Sequence, residues 1–134
     1  MNEYVTDTHA LLWYLLGNDK LSPRAVSIFV KTDAGEARIY IPSIVLVEIV
    51  YLIEKAKIPF AAVEQVIRLL EEPTTNYRLS QIRIATIRAL TSLPRQAIPD
   101  MPDRIIAATA LELQIPLITK DTKITTAGIV EIVW

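Results

Sequence analysis

Apolar residues along the chain follow two patterns, short runs and longer stretches in which they recur every three or four positions. The short runs predict strands, and the longer stretches predict helices. The first run extends from Glu3 to Thr6, and the segment THALLWYLL at positions 8–16 follows it with helical spacing. Either Asp7 or Thr8 is placed to cap the first turn of that helix. The chain therefore opens with a strand followed by a helix.

The same strand-then-helix order returns further along the chain. Several predicted helices begin beside a proline or end before one, as proline's fixed geometry favours. The remaining predicted strands are 38–41, 77–80, 116–119 and 129–133. The remaining predicted helices run from Pro23 to about Lys31, from Pro42 or Ser43 to about Lys57, over 60–72, from about Gln81 to Leu93, and over 103–113, with a turn-rich segment at 120–128.

Strands alternating with helices predict an α/β fold with a mostly parallel central sheet, flanked by helices on both faces. A chain of 134 residues fits a single domain, 1–134. Ligands of such folds bind at the carboxyl ends of the strands. Asp7 follows the first strand, and Asp121 follows the strand at 116–119 after one lysine. The pattern therefore favours a site that includes both acids.

Composition narrows the possible functions. The chain has no cysteine, which excludes disulfides, thiolate metal sites and cysteine nucleophiles. Its three glycines lie far apart, so no phosphate-binding glycine motif is present. Lysine and arginine total 14 against 15 acidic residues, so net charge does not indicate nucleic-acid binding. Hydrophobic residues make up 51%, which suggests apolar surface covered by a second copy or another partner.

The location of the protein is predicted from its apolar segments. The longest, Ile41 to Ile53, is too short to span a bilayer and contains Glu48. The opening MNEYVTD has no basic region of the kind that begins a secretory signal. We therefore expect a cytoplasmic protein with no membrane partner.

Glu48 is the most informative single residue of the sequence. Its helical neighbours three and four positions away are Ile44, Val45, Tyr51 and Leu52, all apolar or aromatic. An ionised carboxylate on a buried face needs a basic partner, a proton or a metal ion. A buried lysine or arginine partner is the structural alternative to a functional role.

Three further acids each have an ordinary structural explanation when taken alone. Asp7 is placed to cap a helix, Asp103 to occupy the first turn of the helix after Pro102, and Asp121 to begin a turn. Asp7 and Asp121 nevertheless follow strands, and helices carry Glu48 and Asp103. If the four side chains converge, they repel one another unless a cation lies between them.

The ligand chemistry of such a cluster points to Mg²⁺ or Mn²⁺. These hard ions prefer oxygen ligands, whereas the softer ligands of zinc are limited to one histidine, His9. A divalent ion held by carboxylates allows a phosphodiester to be hydrolysed by water without a protein nucleophile. Other polar residues adjacent to the acids are candidates to orient ligands or contact phosphate. They are Ser43, Arg104, Thr119, Lys120 and Lys123.

Four segments of the chain together resemble the PIN-domain family, particularly VapC-like toxins of prokaryotic toxin–antitoxin pairs. They are TDTHALLWYL, PSIVLVEIVYL, DMPDRIIAATALELQIPLITKD and the terminal IVEIVW, and they span nearly the whole chain in the family's order. The resemblance implies a PIN-like three-layer sandwich and divalent-metal-dependent cleavage of RNA. It also implies a homodimer and inhibition by a cognate antitoxin protein.

The resemblance carries over to individual positions. Asp7, Glu48, Asp103 and Asp121 match the family's four acids, taken here as the expected metal-binding and catalytic residues. Ser43 and Thr119 match accompanying hydroxyl positions, and Asp100 matches a further acid upstream of the third. Ile98 occurs where many relatives have histidine, and Met101-Pro102 replaces the more usual Pro-Phe. These departures concern the loop before the helix.

Two other classes of protein fit part of the pattern. A receiver-like phosphoacceptor domain is also a small α/β protein with acids at strand ends and one Mg²⁺, but it needs adjacent acids after the first strand. Asp7 has Thr6 and Thr8 beside it instead. A PIN-fold binding module without catalysis is the other alternative, and the presence of all four acids argues against it.

Overall fold

The computed structural model describes all 134 residues and contains one sheet of five strands. Every neighbouring pair in the sheet is parallel. The strands are β1 (Asn2–Thr6), β2 (Ala37–Pro42), β3 (Tyr77–Ser80), β4 (Leu117–Ile118) and β5 (Ile132–Val133). Their order across the sheet is β3-β2-β1-β4-β5, with β3 and β5 at the edges.

Seven helices connect the strands. They are α1 (Thr8–Leu15), α2 (Pro23–Asp33), α3 (Ser43–Glu54), α4 (Ala62–Glu71), α5 (Ile84–Thr91), α6 (Met101–Leu113) and α7 (Thr122–Ala127). The predicted α/β class with a parallel central sheet and flanking helices is therefore confirmed. No helix is both long enough and apolar enough to cross a membrane.

The strand order places a crevice beside β1. The chain first moves outward from β1 to β2 and β3, and then returns to the other side of β1 to form β4. Because crossovers between parallel strands are right-handed, this reversal puts the connecting helices of the two halves on opposite faces of the sheet. The last residue of β1, Thr6, pairs with Ile118 at the end of β4. The carboxyl ends of β1 and β4 thus meet where the order reverses, which is the usual ligand-binding position of such sheets.

The core lies on both faces of the sheet. Leu117 and Ile118 are successive residues that point to opposite faces, and both are fully buried. Val5 of β1 and Ile39 of β2 are also fully buried. Burial of each such aliphatic side chain stabilises the fold by about 1.5–3 kcal/mol relative to exposure. A sheet buried on both faces holds its strand ends in fixed positions, which matters for the side chains that follow them.

The end of α3 differs from the prediction. The apolar spacing predicts a helix to about Lys57, but α3 ends at Glu54 because Ala56 adopts a left-handed backbone with φ of 55°. The Ala56 amide donates to the carbonyl of Ile53, and the Lys57 amide donates to that of Leu52. These two bonds form a Schellman motif, which closes a helix through backbone geometry. Alanine gives no sequence signal for it.

Segment 120–128, predicted to be turn-rich, instead contains α7. The Asp121 side chain accepts a hydrogen bond from the Ile124 amide at 2.8 Å and so caps the helix. Gly128, with φ of 66°, ends it in the left-handed conformation that glycine adopts without strain. The sequence did not predict this helix because threonine, which occurs three times in it, has low helix propensity.

Two other helices begin at residues different from the predicted ones. α5 begins at Ile84 instead of about Gln81, because the Thr86 hydroxyl accepts from the Arg83 amide and fixes the first turn there. α6 begins at Met101, two residues before the predicted start. Asp103 is therefore the third residue of α6.

Candidate active site

Asp7 lies directly after β1 and is the N-cap of α1. One carboxylate oxygen accepts a hydrogen bond from the Ala10 amide at 2.8 Å, so the capping role expected of this residue is present. The other oxygen, Oδ2, accepts from the Thr119 hydroxyl at 2.5 Å. Thr119 follows β4, so this second bond joins the two strand ends across the crevice. Capping thus accounts for only half of what the Asp7 carboxylate does.

Thr119 connects Asp7 to a second acid. Its side chain is fully buried, and its hydroxyl oxygen accepts a hydrogen bond from the Asp121 amide at 3.0 Å while the hydroxyl donates to Asp7. Asp121 is itself the N-cap of α7 and uses Oδ1 for the Ile124 amide. One buried threonine therefore fixes the positions of two acids, each of which begins a helix after a strand.

Glu48 reaches the site from α3 without a basic partner. Its Oε1 accepts a hydrogen bond from the Thr8 hydroxyl at 2.5 Å. The chain has two ion pairs, Arg38 with Glu3 and Arg83 with Glu112, and neither includes Glu48. The structural alternative of a buried lysine or arginine partner is therefore wrong. The half-buried carboxylate is held by one hydroxyl and lies among other acids.

Asp103 lies in the first turn of α6, as the sequence predicts for an acid after Pro102. Its own amide is capped by the Asp100 carboxylate at 3.0 Å. No hydrogen bond occupies either oxygen of the Asp103 carboxylate, in contrast to those of Asp7. Asp103 is therefore the acid with the freest side chain of the four.

Other carboxylates lie near enough to Asp103 for their charges to act on it. Burial, and after it the negative charges of four neighbouring carboxylates, raises the pKa of Asp103 to about 7. Burial also raises the pKa of Asp7, and the charge of Asp121 adds to the increase, whereas the Thr119 and Ala10 hydrogen bonds and the His9 charge oppose it. The neighbours that act on Asp103 are Asp100, Asp121, Glu48 and Asp7.

The negative charge of the site favours binding of a cation, but the side chains are not oriented around one. No group of three acidic or histidine side chains is arranged to hold a metal ion as the side chains lie. Asp7 and Asp121 point oxygens at amides and hydroxyls, and Glu48 points one at Thr8. Each retains lone pairs or a second oxygen, and the donor set is entirely oxygen, which suits Mg²⁺ or Mn²⁺. The residues fit a hard divalent cation after side-chain adjustment.

The supporting residues named from the sequence divide into those at the site and those that act elsewhere. Thr119 and Asp100 contact the site through the bonds described above. Ser43 begins α3 and makes no side-chain hydrogen bond that links it to an acid. The Arg104 guanidinium is used for the fold, because its Nη2 donates to the carbonyls of Leu90 and Leu93 at 3.2 and 3.1 Å.

Arg104 therefore differs from the expectation of a phosphate contact. The two carbonyls belong to the last turns after α5, where helix carbonyls lack partners within the helix. The arginine ties this end of α5 to the first turn of α6, which carries Asp103. Through Nη2 it stabilises the packing of the helix that carries Asp103.

Thr8 is a site residue that sequence reasoning did not select. The sequence presents it only as a possible cap and as a neighbour of Asp7, whereas it is buried and donates to Glu48, 40 positions away. The available signal was its place directly after Asp7, where the first turn of α1 begins beside the strand ends. Helical spacing alone could not show which way its hydroxyl points.

An apolar groove of about 330 Å³ adjoins the acids between α3 and the start of α6. Glu48 and Asp100 lie on its border, and Lys55 is at one end. Tyr51 and Met101 are 59% and 63% exposed, which is unusual for large apolar side chains. The apolar residues that line the groove are Ile44, Val47, Tyr51, Leu52, Met101 and Pro102.

Comparison with solved structures shows where this fold occurs. A chain of the VapBC2 complex from Rickettsia felis, bound to a promoter DNA fragment, aligns with a TM-score of 0.69 and 16% identity, covering 98% of this chain and 97% of that one. FitAcB from Neisseria gonorrhoeae aligns with a TM-score of 0.64 and 18% identity, covering 96% and 95%. A toxin–antitoxin complex from Klebsiella pneumoniae gives 0.62 and 25%, covering 98% and 96%.

Sequence comparison gives the family. No curated protein matches the chain. The PIN domain, by contrast, matches residues 4–129, which is nearly all of the chain and includes the four acids. This match favours the nuclease family over a receiver-like domain and confirms the resemblance seen in the four segments. The chain belongs to the PIN-domain family.

Proposed function

We propose that this protein is a divalent-metal-dependent endoribonuclease that acts as the toxin of a toxin–antitoxin pair. The observation that carries the proposal is that four carboxylates, three of them from other elements, act on Asp103, and that burial and these charges raise its pKa to about 7. Carboxylates that repel one another in this way are costly for folding, and a divalent cation removes the cost. PIN-family membership supports nuclease chemistry for the cluster.

Asp7, Glu48, Asp103 and Asp121 would hold Mg²⁺ or Mn²⁺ at the edge of the sheet. When bound, such an ion activates water and stabilises negative charge on the phosphate and the leaving oxygen. Thr119 keeps Asp7 and Asp121 in position through its hydroxyl. Thr8 performs the same task for Glu48. Partners of this kind orient ligating carboxylates and tune metal affinity.

Asp103 has a further task in this proposal. With a pKa of about 7 in the metal-free protein, its carboxyl exchanges a proton near neutral pH. A cation held here would need the ionised carboxylate, so Asp103 would have to lose that proton to serve as a ligand. Neither oxygen of this carboxylate accepts a hydrogen bond, so both would be available to the cation.

The apolar groove beside Glu48 and Asp100 supports an antitoxin partner. Its exposed apolar lining suits an apolar segment, and the adjoining acids suit a basic side chain on that segment. The structural relatives include toxin–antitoxin complexes, in agreement with a protein partner here. Occupation of the groove would block the site, so we expect a bound antitoxin to inhibit cleavage. Cytoplasmic location and the RNA target remain predictions from the sequence.

A PIN-fold binding module without catalysis is the second candidate. One observation favours it: the acidic side chains, as they lie, do not form a set of three arranged around a common point. In that case the cluster would bind a basic partner instead of a metal ion. Calorimetry with Mg²⁺ and Mn²⁺ at about pH 7.5, just above the Asp103 pKa, separates the two candidates. Binding that Asp103→Asn weakens supports the nuclease, and absence of binding supports the module.

The experiment that tests the proposal is cleavage of labelled single-stranded and structured RNAs in Mn²⁺, with DNA of the same sequence in parallel. We expect wild type to cut RNA and EDTA to abolish cutting. Asp103→Asn should lower the rate by more than the roughly 10–100-fold that loss of an outer-shell partner costs. The matched control is Glu36→Gln, an exposed acid at the amino end of β2, opposite the site.

The controls give each result a meaning. If Glu36→Gln cuts like wild type and Asp103→Asn does not, the activity belongs to the acidic cluster. If both variants cut equally, the activity comes from a contaminant and the proposal fails. Cleavage of DNA in preference to RNA would support nuclease activity but contradict RNA as the substrate.

A further inference from the structure

A line of aromatic and basic side chains runs along one side of the acids, and we call it the stacking strip. The His9 and Trp13 rings on α1 lie 5.7 Å apart, centroid to centroid. Trp13 and the terminal Trp134 are 6.0 Å apart in an edge-to-face arrangement. Lys20 places its Nζ 5.6 Å from the centre of the Trp13 ring. The strip consists of His9, Trp13, Trp134, Lys20 and Lys120.

The stacking strip is continuous with the acidic site at two places. Trp134 and Lys120 line a cavity of about 280 Å³ together with Thr119, the residue that holds Asp7. At the other end, His9 is exposed and lies two residues after Asp7 at the start of α1. The strip therefore borders the acidic site through His9 on α1 and through the cavity that Thr119 shares with Lys120 and Trp134.

The charges of the strip complement a nucleic-acid backbone. The chain as a whole carries a net charge of −1, and the site itself is acidic, so a polyanion needs local cations near the acids. Lys20 and Lys120 are exposed, and neither takes part in an ion pair. Their ammonium groups are free to contact phosphates on the side of the acids where the aromatic rings lie.

We propose that the stacking strip binds the single-stranded RNA that flanks the scissile phosphate, with bases stacked on the His9 and Trp13 rings and phosphates contacting Lys20 and Lys120. Aromatic stacking beside cations is the general means by which proteins hold unpaired bases without reading their sequence. The inference rests on the proposed function, because it takes the acids as the point of cleavage. It assigns a positioning role to side chains that the acidic mechanism does not use.

The same rings also have a packing role, which the test must separate from binding. Trp13 and Trp134 are half-buried and pack against the core. We therefore use Lys20→Gln, which changes an exposed side chain, and Trp13→Leu, which removes the stacking face but keeps an apolar side chain against the core. Phe60→Ala is the matched control, since Phe60 is 86% exposed and lies before α4, outside the strip.

Tryptophan fluorescence reports on the strip alone, because the chain has two tryptophans and both belong to it. The Asp103→Asn protein in EDTA is titrated with a single-stranded oligoribonucleotide, and separately with an abasic oligonucleotide of equal length and charge. We expect quenching by the RNA and little by the abasic strand. Equal quenching by both strands, or none at RNA concentrations that saturate binding by anisotropy, would overturn the proposal.

The second readout is the cleavage kinetics of single variants that retain Asp103. Lys20→Gln and Trp13→Leu should each raise KM for single-stranded RNA by roughly 10-fold with kcat little changed, and Phe60→Ala should have no effect. A loss confined to kcat would show a structural role and contradict RNA binding by the strip.

If RNA quenches fluorescence but wild type cuts nothing in Mn²⁺, the strip is retained as an RNA-binding surface and the nuclease proposal fails. Cleavage without base-dependent quenching would reject the strip and leave the nuclease proposal standing.

Discussion

Thr119 is the residue on which the geometry of two acids depends. Its hydroxyl is fully buried, donates to Asp7 and accepts from the Asp121 amide. Val has nearly the same shape but no hydroxyl, so Thr119→Val leaves a buried N–H without a partner. Such a loss costs about 1–3 kcal/mol of folding free energy. The substitution therefore tests the position of both carboxylates at once.

We expect Thr119→Val to lower metal-dependent cleavage by roughly 10–100-fold, the usual effect of losing an outer-shell partner. Thr119→Ser should retain most of the activity. Thr109→Val is the matched control, because Thr109 is equally buried but its hydroxyl bonds to the Ile105 carbonyl within α6. Cleavage rates and urea unfolding are measured for all three. Equal activity losses in Thr119→Val and Thr109→Val would contradict the role given to Thr119.

Asp103 gives the protein a stability that depends on pH. Its folded pKa of about 7 lies above its ordinary value of 3.8, so the folded state binds this proton more tightly than the unfolded state. The contribution is fully present below about pH 4 and is lost as pH rises through about 7. Ionised Asp103 thus destabilises the metal-free protein above neutrality, where a bound cation would stabilise it.

In EDTA at about pH 8, Asp103→Asn should raise the free energy of unfolding by about 1–3 kcal/mol, a value reduced for the partial exposure of the group. The gain should disappear at about pH 4, where the wild-type carboxyl is protonated. Thermal melts of wild type, Asp103→Asn and Glu36→Gln at both pH values check this. Adding Mn²⁺ at the higher pH should stabilise wild type more than Asp103→Asn. A variant less stable than wild type at the higher pH would show that the repulsion is absent.

Among the helices, α3 ends in a strained position at Ala56. A non-glycine residue in the left-handed region costs about 1–2 kcal/mol, because its Cβ crowds the backbone. Ala56→Gly should therefore stabilise the protein by about 0.5–1 kcal/mol without changing cleavage, part of the gain being lost to unfolded-chain entropy. Chemical denaturation measures the difference. Ala34→Gly is the control, since Ala34 caps α2 in the right-handed region and should gain nothing.

Element positions also show why the site residues were only partly predictable. Asp7, Asp103 and Asp121 were expected at element boundaries, and each caps a helix or lies in a first turn. Boundary positions follow from local sequence, because capping needs only neighbouring amides. The contacts of the Thr8 hydroxyl and the Arg104 guanidinium could not be predicted in this way, since their partners belong to elements distant in sequence.

Across the molecule as a whole, exposed apolar side chains concentrate around the edge strand β3 and the start of α5. Ile84 is 73% exposed, and Leu79, Ile82 and Ile87 are each at least 40% exposed. An exposed patch beside an open sheet edge favours association with another chain. A second copy is the partner that the high apolar content and the family resemblance both lead us to expect.

We expect the protein to be a dimer at micromolar concentration and Ile84→Glu to weaken the dimer at least roughly tenfold, because a charge would be buried at the contact. Light scattering after size-exclusion chromatography measures the mass. Val30→Glu is the control, as Val30 is 51% exposed on α2 and does not belong to the patch on β3 and α5. A monomeric wild type would reject the dimer. Monomers produced equally by both variants would reject the assigned surface.

The fold class and the chemistry of the site follow from the order of residues along the chain. Alternating apolar runs specify strands and helices through local periodicity, and the absence of cysteine leaves oxygen ligands and a single histidine as the available donors. The isolated charge of Glu48 on an apolar helix face pointed to a special environment, because burial of a lone carboxylate is costly. These conclusions need only neighbours along the chain.

Which side chains meet, by contrast, depends on how the elements pack. The reversal of strand order beside β1 brings Thr119 to Asp7 across 112 positions, and no periodic pattern encodes that distance. Packing likewise brought the Thr8 hydroxyl to Glu48 and the Arg104 guanidinium to the end of α5. The pKa of Asp103 is raised by burial and by the charges of Asp100, which caps the same helix, and of three carboxylates from other elements. Interactions between neighbours along the chain determine the helices and strands. Only the packing of those elements determines which charges surround each acid.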